Sequence, residues 1–309
     1  IQEDLAASGL TGIYYLADSK RVYPYGATAG QILGFVGTDG YGISGLEAYY
    51  EDILAGTDGE MIMETGLTGT PIAGAPNQVT PAKNGTDIII SIDIDIQQVV
   101  EREVLESVTH FAAESGFCMV TDPRTGEILA ACSTPYADLE DPSTFEGWTP
   151  LTLRPVREAY DPGSTFKLIT MAIGIENGLI TPNSTFTVPG EYQVGDDYVT
   201  DDDGRTETIS MDVREILSRS SNTGSALIAQ EVIGGELFWE GVQAFEIGQP
   251  TGIDFPEEAT GIVRTPDEWD GATLGSMSFG QGLTIPMVQM VKAVGGIDNG
   301  GVMNTPPFL

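Results

Sequence analysis

Tyr160-Asp161-Pro162-Gly163-Ser164-Thr165-Phe166-Lys167 is the stretch on which both fold and chemistry turn. An apolar run follows it, with Leu168, Ile169, Met171, Ala172 and Ile175 at helical spacing and Gly178 as a stop. That pattern predicts a helix, and Pro162-Gly163 ends whatever precedes it, so Ser164 falls at or near the helix start. Residues three apart share a helix face, with Cβ atoms about 5–6 Å apart, which applies to Ser164 and Lys167. A hydroxyl and an amine then lie within reach of each other, as a nucleophile and its base must.

Counting residues favours a lysine base. The one histidine, His110, lies in a helical stretch with no Ser near it in sequence, and a Ser-His-Asp triad could draw only on it. The four lysines are Lys20, Lys83, Lys167 and Lys292; the residues three before them are Ala17, Thr80, Ser164 and Gln289. Only Lys167 has a Ser one turn upstream. An exposed Lys, with a pKa of about 10.4, is a poor base. Burial lowers that value because desolvation penalises the charged form, and Phe166, Leu168 and Met171 supply apolar surroundings. The helix start adds free N–H groups and a positive dipole end, both suited to a developing oxyanion. A capping Ser beside a surface Lys would show the same bare spacing.

Composition narrows the classes. The 46 acidic and 13 basic residues give a formal net charge of −33, which excludes nucleic acid and anionic lipid as expected partners. At 309 residues and 41% hydrophobic, the chain suits one large globular domain or two. No apolar run approaches 18 residues, so no transmembrane helix or signal peptide is read, and residue 1 is Ile. The chain reads as cut from something longer at its start. Cys118 and Cys132 flank a hairpin turn and are read as two buried thiols rather than a bridge or a metal site.

Outward from the central stretch, residues 1–85 are Gly-rich and broken into short pieces. They include an apolar piece at 13–16, a turn at Pro24, and a short helix over 44–54 with Ser44 and Glu47 as a capping box. The character changes at Asn84-Gly85. Residues 87–92 read as an apolar strand, and Asp93 or Asp95 as the cap of a long helix ending near Ser115-Gly116. Residues 117–121 and 127–133 read as a hairpin around Asp122-Pro123-Arg124-Thr125-Gly126. The acidic cluster Asp196, Asp197, Asp201, Asp202 and Asp203 lacks calcium-loop spacing and reads as a solvated loop. Residues 210–234 are helical apart from a polar break, Ser218-Arg219-Ser220-Ser221-Asn222-Thr223-Gly224. Further helices are expected over 238–245 and over 284–294, the latter with Pro286 in its first turn.

With these residues in view, the chain resembles a class B penicillin-binding protein, a D,D-transpeptidase of peptidoglycan synthesis. The resemblance covers nearly all of the chain. Tyr23-Pro24-Tyr25-Gly26, Gly34-Phe35-Val36-Gly37 and Gly45-Leu46-Glu47 carry it, as do Asp122-Pro123-Arg124-Thr125-Gly126-Glu127 and Tyr160–Lys167. Ser220-Ser221-Asn222 and Phe279-Gly280-Gln281-Gly282 complete it. S-x-x-K followed by an S-x-N triplet is far more specific than either motif alone. The resemblance implies Ser164 as the acylated nucleophile, Lys167 as its base and Ser220 as a proton carrier. It implies that Asn222 binds the peptide substrate and Lys167, with Gly280 and Gln281 also lining the substrate site. No metal and no organic cofactor are implied. The implied partners are stem peptides ending in D-Ala-D-Ala, β-lactam antibiotics, and cell-wall synthesis proteins in the membrane. The implied place is the extracytoplasmic face of the bacterial membrane, anchored by an N-terminal helix absent from this sequence.

The same match implies an α/β transpeptidase fold over 86–309, an antiparallel sheet flanked by helices, with 1–85 as part of a strand-containing pedestal. Two departures stand out. Asp161 occupies a position where the family often has Glu. More seriously, no Lys is followed by Thr-Gly or Ser-Gly. The family's third motif sits on a core strand beyond the segment matching Asn299-Gly300-Gly301, so the C-terminal strands are expected to be missing and this piece alone to be inactive or nearly so. Two other readings share the fold: a catalytically silent cell-wall scaffold, against which all four site side chains count, and a β-lactamase or penicillin sensor, against which the pedestal-like residues count.

Overall fold

Apolar side chains gather into two main clusters, and the central stretch feeds the larger one through Phe166, Ile169, Met171 and Ile173. The smaller joins the N-terminal region to the hairpin through Ile32, Leu46, Met119 and Ile128. The computed structural model describes residues 21–66, 72, 77–141, 147 and 149–309; the apolar piece at 13–16 and Lys20 lie outside them.

The N-terminal region opens with three short helices, α1 (Gly30–Leu33), α2 (Gly45–Tyr49) and α3 (Glu51–Leu54). Strands β1 (Glu60–Met63) and β2 (Asn77–Thr80) then pair antiparallel, with every side chain of β1 exposed. Ser44 precedes α2 in extended backbone but makes no side-chain cap, so the expected capping box does not form. The buried Glu47 carboxylate is instead paired with the Arg21 guanidinium, a charged partner that outcompetes a neutral backbone N–H.

Helix α4 (Ile94–Phe111) is capped by Asp93, whose carboxylate accepts from the N–H groups of Asp95 and Ile96 at 3.0 and 3.1 Å. It stops at Ala112 in left-handed backbone, a few residues before the expected end. The expected hairpin follows as β3 (Gly116–Thr121) and β4 (Ile128–Thr134), with Cys118 directly opposite Cys132. Both thiols are free; Cys132 is buried and Cys118 only half-buried. Residues 87–92 are a correction, since they form no strand. The Ser91 N–H donates to the Phe308 carbonyl and the Asp93 N–H to the Leu129 carbonyl, so the segment bridges two neighbours instead of laddering along one. Ile90 and Ile92 still pack on the smaller core.

Helix α5 (Arg154–Arg157) and strand β5 (Ala159–Tyr160) lead into a 3-10 turn, Gly163–Phe166, and helix α6 (Lys167–Glu176). Four strands follow: β6 (Thr185–Val188), β7 (Glu191–Val194), β8 (Asp197–Thr200) and β9 (Ile209–Asp212). β6 pairs with β9 and β7 with β8. Helices α7 (Val213–Ser218) and α8 (Asn222–Leu227) narrow the predicted polar break from 218–224 to 219–221, and α8 runs into a π-helical turn, Ile228–Ile233. Helices α9 (Gly235–Ala244) and α10 (Thr273–Met277), strand β10 (Ile285–Pro286) and helix α11 (Met287–Asp298) complete the order. β10 pairs with β5, and Pro286 caps α11 from outside rather than sitting in its first turn.

Antiparallel pairing with helices packed around it agrees with the expected fold class. Among the described residues the pairing is divided over five two-stranded ladders rather than one sheet. The larger core sets α6 against α9 and the π-helical turn through Ile173, Phe238, Val242 and Ile233. Each fully buried Ile or Phe there contributes about 1.5–3 kcal/mol of transfer free energy. That rigid packing fixes where the first turn of α6 points.

Candidate active site

Ser164 lies on the 3-10 turn and Lys167 is the first α-helical residue, one turn later than a helix start at Ser164 would give. The tighter turn keeps the two side chains on one face while giving them opposite environments. Ser164 is exposed, whereas Lys167 is 1% exposed. The turn is held from the other side by Gly280, whose carbonyl accepts the Gly163 N–H at 3.0 Å. A Cβ on Gly280 would lie 2.1 Å from the Gly163 carbonyl oxygen, and its φ of +78° is one that side chains resist. Glycine is required there on both counts.

The Lys167 amine has three acceptors: Ser164 Oγ at 3.0 Å, Ser220 Oγ at 2.9 Å and the Ser220 carbonyl at 2.5 Å. The Ser220 hydroxyl donates to Ser164 Oγ at 2.8 Å and closes the triangle. Among the described residues no carboxylate is a hydrogen-bond partner of the amine. Burial pulls its pKa from 10.5 down to about 8, while the Asp201 and Asp202 carboxylates pull the other way. Three acceptors suit the three N–H groups of an ammonium. A neutral amine keeps two and gains a lone pair, so one contact reverses. The Ser220 carbonyl cannot donate, and the Ser220 hydroxyl already donates to Ser164. The hydrogen left to turn towards the amine is that of Ser164, which is the proton a base must take.

Ser220 occupies the turn between α7 and α8 in left-handed backbone, φ +56°. Its N–H bonds to the Leu217 carbonyl and that of Ser221 to the Ile216 carbonyl. Ser221 is buried and caps α8, its Oγ accepting the Gly224 N–H at 3.0 Å. Asn222, the first residue of α8, is half-buried. Its amide donates to the Thr200 carbonyl at 3.1 Å and not to Lys167, which departs from what the resemblance implied. Gly280 is buried against Gly163, and Gln281 beside it is exposed. The structure therefore brings Ser164, Lys167 and Ser220 into direct contact and sets Gly280 and Asn222 on the elements that hold them. His110 stands apart, exposed at the last turn of α4 with its ring edge-on to Phe111.

The acidic cluster requires a correction. Asp202 and Asp203 are exposed, but Asp201 is 6% exposed and its carboxylate meets the buried Arg205 guanidinium at 2.7 Å. A carboxylate inside a run of aspartates looks solvated in sequence. The available sign was an Arg four residues on, across a Gly204 turn.

The family model of the penicillin binding protein transpeptidase domain matches residues 116–309, and that of the penicillin-binding protein dimerisation domain matches residues 2–90. Penicillin-binding protein PbpB of Mycobacterium tuberculosis is 32% identical over 94% of this chain and 42% of its own length. Penicillin binding protein 3 of the same organism, solved with ampicillin, is 30% identical with a TM-score of 0.83, over 94% of this chain and 60% of that one. A candidate peptidoglycan glycosyltransferase from Atopobium parvulum is 50% identical with a TM-score of 0.84, over 94% and 64%. The chain spans about half the length of the curated relatives it matches.

Proposed function

The chain belongs to the class B penicillin-binding protein family, and from that premise we propose that Ser164 is the nucleophile of a serine D,D-transpeptidase that crosslinks peptidoglycan stem peptides. The observation that carries the reading is a buried amine, Lys167 Nζ, whose hydrogen-bond partners among the described residues are hydroxyl and carbonyl oxygens. Neutral Lys167 takes the Ser164 proton as Oγ attacks the penultimate D-Ala carbonyl. The C–N bond to the terminal D-Ala breaks, and Ser220 relays a proton from the Lys167 side to the departing amine. An amine of a neighbouring stem peptide then attacks the acyl-Ser164 ester and restores the hydroxyl. Asn222, Gly280 and Gln281 border the peptide. A β-lactam enters by the same first step, but its leaving amine stays tethered and Ser164 stays acylated.

In this reading residues 1–85 belong to a pedestal and 86–309 to the transpeptidase domain. The whole protein works at the extracytoplasmic face of the membrane, beside other cell-wall synthesis proteins. The test is covalent labelling of the full-length protein by a fluorescent penicillin. Stable label on the wild type and none on Ser164→Ala is expected. A wild type that takes no label, or that sheds it within minutes as a hydrolase would, overturns the reading.

A further inference from the structure

We propose that Asp201, clamped by Arg205, is a positioning residue for acyl transfer: its buried carboxylate holds the Ser220-Ser221-Asn222 turn so that Ser220 meets both Lys167 and Ser164. The inference rests on the transpeptidase reading above and assigns a role to a residue outside the motifs that suggested it.

The carboxylate is surrounded by donors from one short segment, Ser221 to Thr223, and by Arg205. It accepts the Thr223 N–H at 3.0 Å, the Ser221 hydroxyl at 2.8 Å and the Arg205 guanidinium at 2.7 Å, with the Thr223 hydroxyl at 3.3 and 3.4 Å from its two oxygens. Arg205 in turn donates to the carbonyls of Val188 at 3.1 Å, Pro189 at 3.0 Å and Glu207 at 2.5 Å. The pair therefore pins the start of α8 to the end of β6. Every α8-side group that Asp201 binds lies within three residues of Ser220. A second tie runs alongside, since Asn222 donates to the carbonyl of Thr200, the residue before Asp201.

Such fixing is needed because of what Ser220 must do. A serine at φ +56° sits in a sparsely populated region that persists only where its surroundings over-determine it. Both oxygens that Ser220 offers to Lys167, its carbonyl and its hydroxyl, depend on that backbone angle. Within the triplet the labour divides. Ser220 faces the nucleophile, Asn222 is half-buried at the head of α8, and fully buried Ser221 joins the turn to Asp201. Among the described residues, every donor to the Asp201 carboxylate other than Arg205 comes from this one turn, through Ser221 and Thr223.

The experiment uses the full-length protein and a fluorescent penicillin over a range of concentrations. It separates the dissociation constant of the pre-covalent complex from the maximal rate of acylation. Asp201→Asn keeps the shape and removes the charge; Ser221→Ala cuts one tie and leaves the ion pair whole. Displacement of a catalytic group by about 1 Å can cost on the order of 10²-fold, so we expect both variants to acylate about 10–10²-fold more slowly, with the pre-covalent constant nearly unchanged. Rates are taken per folded molecule, with melting temperature as the control. Wild-type acylation rates in the folded variants, or a loss confined to melting temperature, overturn the inference. If Asp201→Asn fails to fold, Ser221→Ala decides. A wild type that takes no label fails the transpeptidase reading instead, so the two failures are distinct.

Discussion

Lys167 and Lys292 are both buried, at 1% and 9% exposure, yet their surroundings differ in kind. The Lys292 amine lies 2.6 Å from the Glu246 carboxylate and 3.0 Å from the Thr251 carbonyl, at one edge of α11. Among the described residues the Lys167 amine hydrogen-bonds to the oxygens of two serines. The carboxylate that acts on it most strongly, Asp201, is already occupied by Arg205, Ser221 and Thr223. Desolvation opposes the charged form of Lys167, and among the described residues no carboxylate is in contact with its amine to offset that; Lys292 has Glu246 in contact. Burial with a counter-ion makes a strut. Burial among hydroxyls suits the base proposed above.

The strongest way to break that comparison is Lys167→Met. Loss of a general base costs about 10²–10⁴-fold, so labelling by a fluorescent penicillin should fall by that factor while the fold persists. The wild type should label faster by tenfold per pH unit below about 8 and level off above it, because the amine must be neutral to accept a proton. With a pKa of about 8, roughly a tenth of the molecules are competent at pH 7. The stability sign follows. The unfolded amine holds its proton up to about 10.5 and the folded one only to about 8, so the folded state binds fewer protons between them. The Lys167 contribution to stability therefore rises as pH climbs through that window, and Lys167→Met should lack it. A wild-type labelling rate that is flat through pH 8 would remove Lys167 as the base.

How much of this was legible beforehand depends on where the partners lie in the chain. Ser164 and Lys167 are three residues apart, so helical geometry alone brought them together, and the Asp122–Gly126 turn was equally local. Ser220 and Asn222 are more than fifty residues from Ser164, and only the family resemblance linked them to it. Asp201 was misread because burial of one carboxylate among five is decided by the tertiary position of Arg205 and Thr223, not by composition. The apolar run at 87–92 failed as a strand for a related reason. The run is apolar, but the backbone partners of Ser91 and of the adjoining Asp93, Phe308 and Leu129, belong to different segments.

The next effect is smaller and falls on stability alone. Lys292→Met removes an ion pair with the half-exposed Glu246, whose carboxylate keeps access to water, and a charged hydrogen bond to the Thr251 carbonyl. Hydrogen bonds to charged groups contribute about 1.5–3 kcal/mol, so unfolding free energy should drop by roughly 1–3 kcal/mol in denaturant titration. The acylation rate should stay at the wild-type value. If Lys292→Met slowed acylation as Lys167→Met does, the division between strut and base would be void.

The smallest effect is predicted nearest the site in sequence. Arg219 immediately precedes Ser220, but its guanidinium is about half exposed, 2.9 Å from Glu215 and 4.0 Å from Asp203. Exposed pairs of this sort contribute about 0–1 kcal/mol, because water and salt screen them and two long side chains lose freedom. Arg219→Ala should change unfolding free energy by about 0.5 kcal/mol or less and leave penicillin acylation unaltered. The backbone turn that aims Ser220 is fixed from its buried side, through Ser221, so a charge on its solvent side has no lever on it. A tenfold or greater fall in acylation for Arg219→Ala would show the reverse. The positive charge would then be acting on the penicillin carboxylate itself, and exposure beside the site would matter as much as burial within it.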